Sequence, residues 1–151
     1  YYQGGAVNNR LILFIVVFCV ISFSLKGFCQ ELNIEENKIY LAVINAEIEK
    51  YFTSKEEISE EESERFTKEI ADKLGKNVDQ LTGIMEAGIN RSLSEQETKI
   101  AEELADKLYT LPRPCSKEEL SQAFSASAGK NGITIEQAQE LYYRYISTSP
   151  N

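Results

Sequence analysis

From about residue 33 to the end of the chain, the apolar positions recur with the spacing of one helix face. Ile39, Val43, Ile44, Ile48, Tyr51 and Phe52 form a stripe that predicts a helix over 33–53. Ser59 with Glu62 has the form of a capping box, and the helix it opens points Phe66, Ile70, Ala71 and Leu74 inward, with Gly75 placed to close it. Asn77 is placed to cap a third helix bearing Val78, Leu81, Ile84, Met85 and Ile89. Ser94 with Glu97 opens a fourth, with Ile100, Ala101, Leu104, Ala105 and Leu108 on its stripe, which Pro112 and Pro114 end. Ser116 with Glu119 opens a fifth carrying Leu120, Ala123 and Phe124, and Gly129-Lys130-Asn131-Gly132 reads as the turn after it. Thr134 with Gln137 opens the last, bearing Ala138, Leu141, Tyr142, Tyr145 and Ile146. No segment sustains a period of two, and no heptad persists past two or three turns. The pattern predicts an all-α chain, a compact bundle of about five to six short helices, in which start signals and apolar stripes agree in register.

The first thirty residues have a different character. Leu11–Phe23 runs thirteen residues without a charge, preceded by Arg10 and followed by Ser-Leu-Lys-Gly-Phe-Cys. A positive flank, a short apolar run and a small-residue exit describe a secretory signal peptide, with cleavage after Gly27-Phe28-Cys29 and before Gln30. The run is shorter than the roughly 20 apolar residues of a comfortable membrane span, so an uncleaved anchor is the alternative and the only expected route to a membrane. Residues 1–6 read as a translated leader or a fragment end, with Val7 as the start; residues 7–29 read as the signal peptide; residues 30–151 read as one helical domain with a hinge at 111–115. Lipid attachment at Cys29 requires a small preceding residue, where this chain has the large Phe28. Cleavage before Gln30 leaves Cys115 alone and no internal disulfide.

Composition narrows the chemistry. The chain of 151 residues has 16 Lys and Arg against 24 Asp and Glu, a net charge of −8, and removal of residues 1–29 leaves 14 against 24, a net charge of −10. It contains no His and no Trp. Without His there is no Ser-His-Asp or Cys-His machinery and no His-ligated metal, and Cys115 has no neighbouring base to activate its thiol. Strong acidity opposes a partner held through phosphates.

Three constellations invite a functional reading. Ile70–Ile84 (IADKLGKNVDQLTGI) resembles the helix-turn-helix motif of bacterial DNA-binding domains, with Ala71 at the small position, Gly75 at the turn and Leu74, Val78, Leu81 and Ile84 at the apolar positions. That resemblance implies a recognition helix, yet the second helix turns Asp79, Gln80, Thr82 and Glu86 outward, which do not suit phosphate contact. Glu118–Gln137 loosely resembles an EF-hand in cadence, but Ser125–Lys130 holds none of the carboxylates a calcium loop requires. Glu56, Glu57, Glu60, Glu61, Glu62 and Glu64 form an acid run that reads first as a solvated face near a helix start. A carboxylate pair acting on glycan in the envelope is the enzymatic alternative, requiring a cleft around a Glu or Asp of raised pKa.

The expectation is therefore an exported acidic bundle, periplasmic or secreted, that binds a protein or an envelope component rather than catalysing a reaction. No catalytic, cofactor-binding or metal-binding residue is assigned, and no nucleic-acid partner is expected. Tyr143, read as pointing away from the apolar side of the last helix, its neighbour Arg144 and the face around Met85 are the candidate interaction residues.

Overall fold

The computed structural model describes residues 31–149. The readings on the leader, the signal peptide and its exit, and Cys29 lie outside these residues. Six helices follow one another: α1 (Ile34–Thr53), α2 (Glu60–Lys73), α3 (Val78–Ile89), α4 (Glu95–Tyr109), α5 (Lys117–Asn131) and α6 (Ile135–Thr148). No strand occurs among the described residues, and the chain is all-α as its periodicity predicts. None of these helices is long and apolar enough to cross a membrane.

The helix starts are set by side chains that accept the otherwise unpaired amides of the first turn. Full capping boxes form at Asn33 with Glu36, Asn77 with Gln80, Ser94 with Glu97, Ser116 with Glu119 and Thr134 with Gln137. Ser59 departs from the expected box. Its Oγ accepts the Glu62 amide at 3.2 Å, but the Glu62 carboxylate is turned to Lys50 of α1 at 2.6 Å. A contact between helices thus replaces the local return bond.

Two helix ends depend on glycine. Gly75 has φ +66°, and the Lys76 and Gly75 amides donate to the carbonyls of Ala71 and Asp72 at 2.9 and 3.2 Å. This Schellman closure reverses the chain tightly between α2 and α3. Gly132 has φ +64° and ends α5. The expected four-residue turn at 129–132 is therefore too long. Gly129, Lys130 and Asn131 remain helical, and the chain reverses only where the left-handed residue stands. Ser125–Lys130, read against an EF-hand loop, lies inside α5.

The core forms around α6, which packs against α1, α3, α4 and α5. Tyr142 of α6 meets the rings of Phe52 and Phe124, with centroids 6.2 and 6.1 Å apart. Ile44, Ile48, Leu81, Leu104 and Leu108 complete the main cluster, and Ile100, Ala101 and Leu141 form a smaller one between α4 and α6. The proline link at 111–115, where the sequence places a hinge, is tied to α1. The Cys115 amide donates to the Phe52 carbonyl at 3.0 Å, and the Arg113 guanidinium lies 4.1 Å from the Tyr51 ring centroid. Cys115 itself is buried, and burial pushes its thiol up, with Glu119 adding to the effect. That environment favours the unreactive thiol over the thiolate.

Candidate functional site

The residues singled out as an interaction patch lie in the interior. Tyr143 is 1 % exposed, Arg144 5 % and Met85 7 %. The sequence reading placed Tyr143 opposite the apolar side of its helix. Because α6 is packed on by four other helices, it has almost no outer face along 141–146, and Tyr143 and Arg144 are covered along with Leu141, Tyr142 and Ile146. Met85 is covered because α3 turns that side toward α1.

Arg144 is a clamp. Its Nη2 donates to the Arg91 and Ser92 carbonyls at 2.6 and 2.8 Å, and its Nε to the Arg91 carbonyl at 3.2 Å. One guanidinium thereby fixes the segment between α3 and α4 onto α6. Glu140, one turn earlier, lies 3.6 Å from Arg144 Nη1 and pairs with Arg91 from that same segment. The planar fork suits two adjacent carbonyls as an ammonium would not. Beside it, the Tyr40 hydroxyl is buried, with the Arg91 guanidinium 5.7 Å from its ring centroid. Burial and the nearby Glu140 push that phenol above its usual range, which keeps it neutral.

Glu47 is a carboxyl whose pKa is clearly raised. It stands in the interior of α1, 5 % exposed, and accepts a hydrogen bond at Oε2 from the Tyr143 hydroxyl. Burial pushes the carboxyl up to about 7, against the pull of the Tyr143 bond. A raised pKa is what a general acid needs, but chemistry also needs access. Glu47 lines none of the clefts described next. Sequence reasoning passed over Glu47, although its position is legible. It lies four residues after Val43 and four before Tyr51, in the middle of an apolar stripe.

Clefts open on the surface between the helices. The first, about 450 Å³, lies between α1, α5 and α6. Leu41, Leu120, Phe124 and Ile135 give it an apolar floor, while Asn45, Glu49, Lys117 and Gln139 contribute polar groups. Two polar pairs hold it in shape: Gln139 donates to Asn45 at 2.9 Å, and Lys117 meets Glu49 at 2.5 Å. The second, about 290 Å³, lies between Leu32 and Glu36 on one side and Lys76 and the Gln80–Ala87 face of α3 on the other. The third, about 510 Å³, lies beside the start of α1, near Asn37, Lys38 and Arg91. The acid run proves to be largely surface: Glu56, Glu57, Glu60, Glu61 and Glu64 are exposed. No group of three or more metal-ligating side chains occurs among the described residues.

The helix-turn-helix resemblance holds in part as packing: α2, the Gly75 turn and α3 fold against one another and Ala71, Leu81 and Ile84 are buried, but Val78, read at an apolar position, is 40 % exposed at the start of α3. Of the positions read as outward, Asp79 and Gln80 are exposed and Glu86 is half-buried, but Thr82 is buried, its hydroxyl donating to the Val78 carbonyl at 2.9 Å one turn back; none of the four is a cation. Comparison with protein-family models, with curated proteins and with solved structures finds no match to this chain.

Proposed function

We propose that this chain is a small exported acidic bundle that acts by binding another protein or an envelope component, with the cleft between α1, α5 and α6 as its contact face. The observation that carries this reading is the cleft itself: an open apolar floor beside polar groups already held by the Asn45–Gln139 and Glu49–Lys117 pairs. Apolar floors with polar rims are the usual anatomy of recognition surfaces. The raised carboxyl, by contrast, is closed off under Tyr143, which disfavours catalysis as the chain's work. The exposed acids and the net charge of −10 for residues 30–151 favour a neutral or basic partner over a nucleic acid.

The test is photo-cross-linking in an expressing bacterium. A photoreactive residue at Ala42 or at Ser121, both exposed on the cleft, is expected to capture the same partner. The same group at Lys99, exposed on α4, is expected to capture none. Ile135→Asp places a charge on the cleft floor at the first residue of α6, where an acid suits the helix start. It should abolish the adduct and leave the circular dichroism spectrum unchanged. Equal capture from all three positions, or capture from Lys99 alone, contradicts the assignment.

A further inference from the structure

The geometry points to a proton-dependent latch in the seam between α1 and α6, in which Glu47 holds Tyr143 as a neutral acid and the seam weakens when that proton is lost.

The inference rests on what surrounds Glu47. The carboxyl is inside the bundle, and its one hydrogen bond comes from Tyr143 across the seam. A buried carboxylate is stable when a cation or several donors meet it. Here neither is supplied. From α6, the facing titratable group is Tyr143, because Glu140 and Arg144 are turned to Arg91. From α5, Lys117 is engaged with Glu49 and Lys130 with Glu103 of α4. From α3, Asp79 is exposed and Glu86 is half-buried, and neither contributes to the Glu47 shift. Within α1, Lys50 points to Glu62 of α2 and to the Phe66 ring. Desolvation is therefore unopposed except by a single phenol.

The direction follows from linkage. The folded carboxyl titrates at about 7 against an ordinary value of 4.5. Between those two values the native state keeps its proton and the unfolded chain has released it, so stability falls as pH rises. Below about 4.5 the contribution is fully present, and above about 7 it is lost. Because α6 also packs on α3, α4 and α5, a weakened seam loosens the helix on which the whole core is built.

The experiment compares urea unfolding of the purified protein and of Glu47→Gln at pH 5 and pH 8. The amide keeps an acceptor for Tyr143 and cannot ionise. On the shift above, the unfolding constant of the unaltered protein should rise on the order of 100-fold more than that of Glu47→Gln between the two pH values. Infrared difference spectra at pH 6 should show a protonated-acid carbonyl band that Glu47→Gln lacks. Equal pH slopes, or no such band, overturn the latch. If Glu47→Gln does not fold, Tyr143→Phe carries the test. It removes the donor that favours the ionised form, so the pH at which the loss of stability levels off should move upward, and an unmoved profile overturns the latch equally.

Discussion

Arg144→Ala is expected to lower the unfolding free energy by about 3 kcal/mol, the scale of removing charge-assisted hydrogen bonds made by a buried cation. The residue is 5 % exposed and donates to two successive carbonyls, those of Arg91 and Ser92. Both carbonyls belong to the segment between α3 and α4, which is also tied to α6 through the Arg91–Glu140 pair at the surface. The loss should therefore carry a local signature. Amide hydrogen exchange across 90–94 should accelerate more than exchange in α2, which Arg144 does not touch. Arg144→Lys retains the charge but not the planar fork, and should recover about half of the lost stability. A loss below about 0.5 kcal/mol, or acceleration spread evenly over the helices, would show that the clamp is not what fixes this segment.

A pair of glycines in α3 should respond to one substitution with opposite signs. A Cβ at Gly88 would stand 2.3, 2.5 and 2.6 Å from three carbons of the Tyr40 ring. Tyr40 is fully buried and cannot swing away, so Gly88→Ala must push α3 from α1. Overpacking of this kind costs on the order of 1–3 kcal/mol, and with a clash this deep we expect a net loss of about 2 kcal/mol despite the better helix propensity of Ala. At Gly83, one and a half turns earlier, a Cβ meets nothing within 4 Å and the position is exposed. Gly83→Ala should gain roughly 0.5–1 kcal/mol from helix propensity alone. Thermal or urea melts of the two variants decide the matter. Effects of the same sign would mean that the close approach of α3 to Tyr40 is not a constraint on the fold.

The helices were readable because each has a local start signal and an apolar stripe that agree. The Ser94, Ser116 and Thr134 boxes are written in the sequence and form as written. The misreadings share one cause, which is that stripes describe one face while α6 is covered on several. Tyr143 lies off the stripe of Leu141, Tyr142 and Ile146, but another helix waits there, and Glu47 supplies the polar partner its hydroxyl needs. Arg144 looked like a surface cation because nothing local marks its acceptors, two carbonyls more than fifty residues earlier in the chain. Gly88 was missed for a similar reason. It falls four residues after Ile84 and seven after Leu81, on the α3 stripe, but only the approach of Tyr40 gives that position its meaning. The cleft between α1, α5 and α6 could not be read at all, since its lining residues come from three helices whose mutual placement no local pattern records. The Ser59 box shows the same limit on a smaller scale, because Glu62 chose a lysine on another helix over its own backbone.

The most direct test of an exported binding protein is the intact mass of the chain recovered from each cell fraction of an expressing bacterium. Export predicts a soluble envelope species that begins at Gln30, with the helices starting from Ile34 intact. Recovery of the uncleaved chain in the cytoplasm would contradict export, remove the envelope as the setting for its partner and return the α2–Gly75–α3 unit to consideration as a nucleic-acid reader.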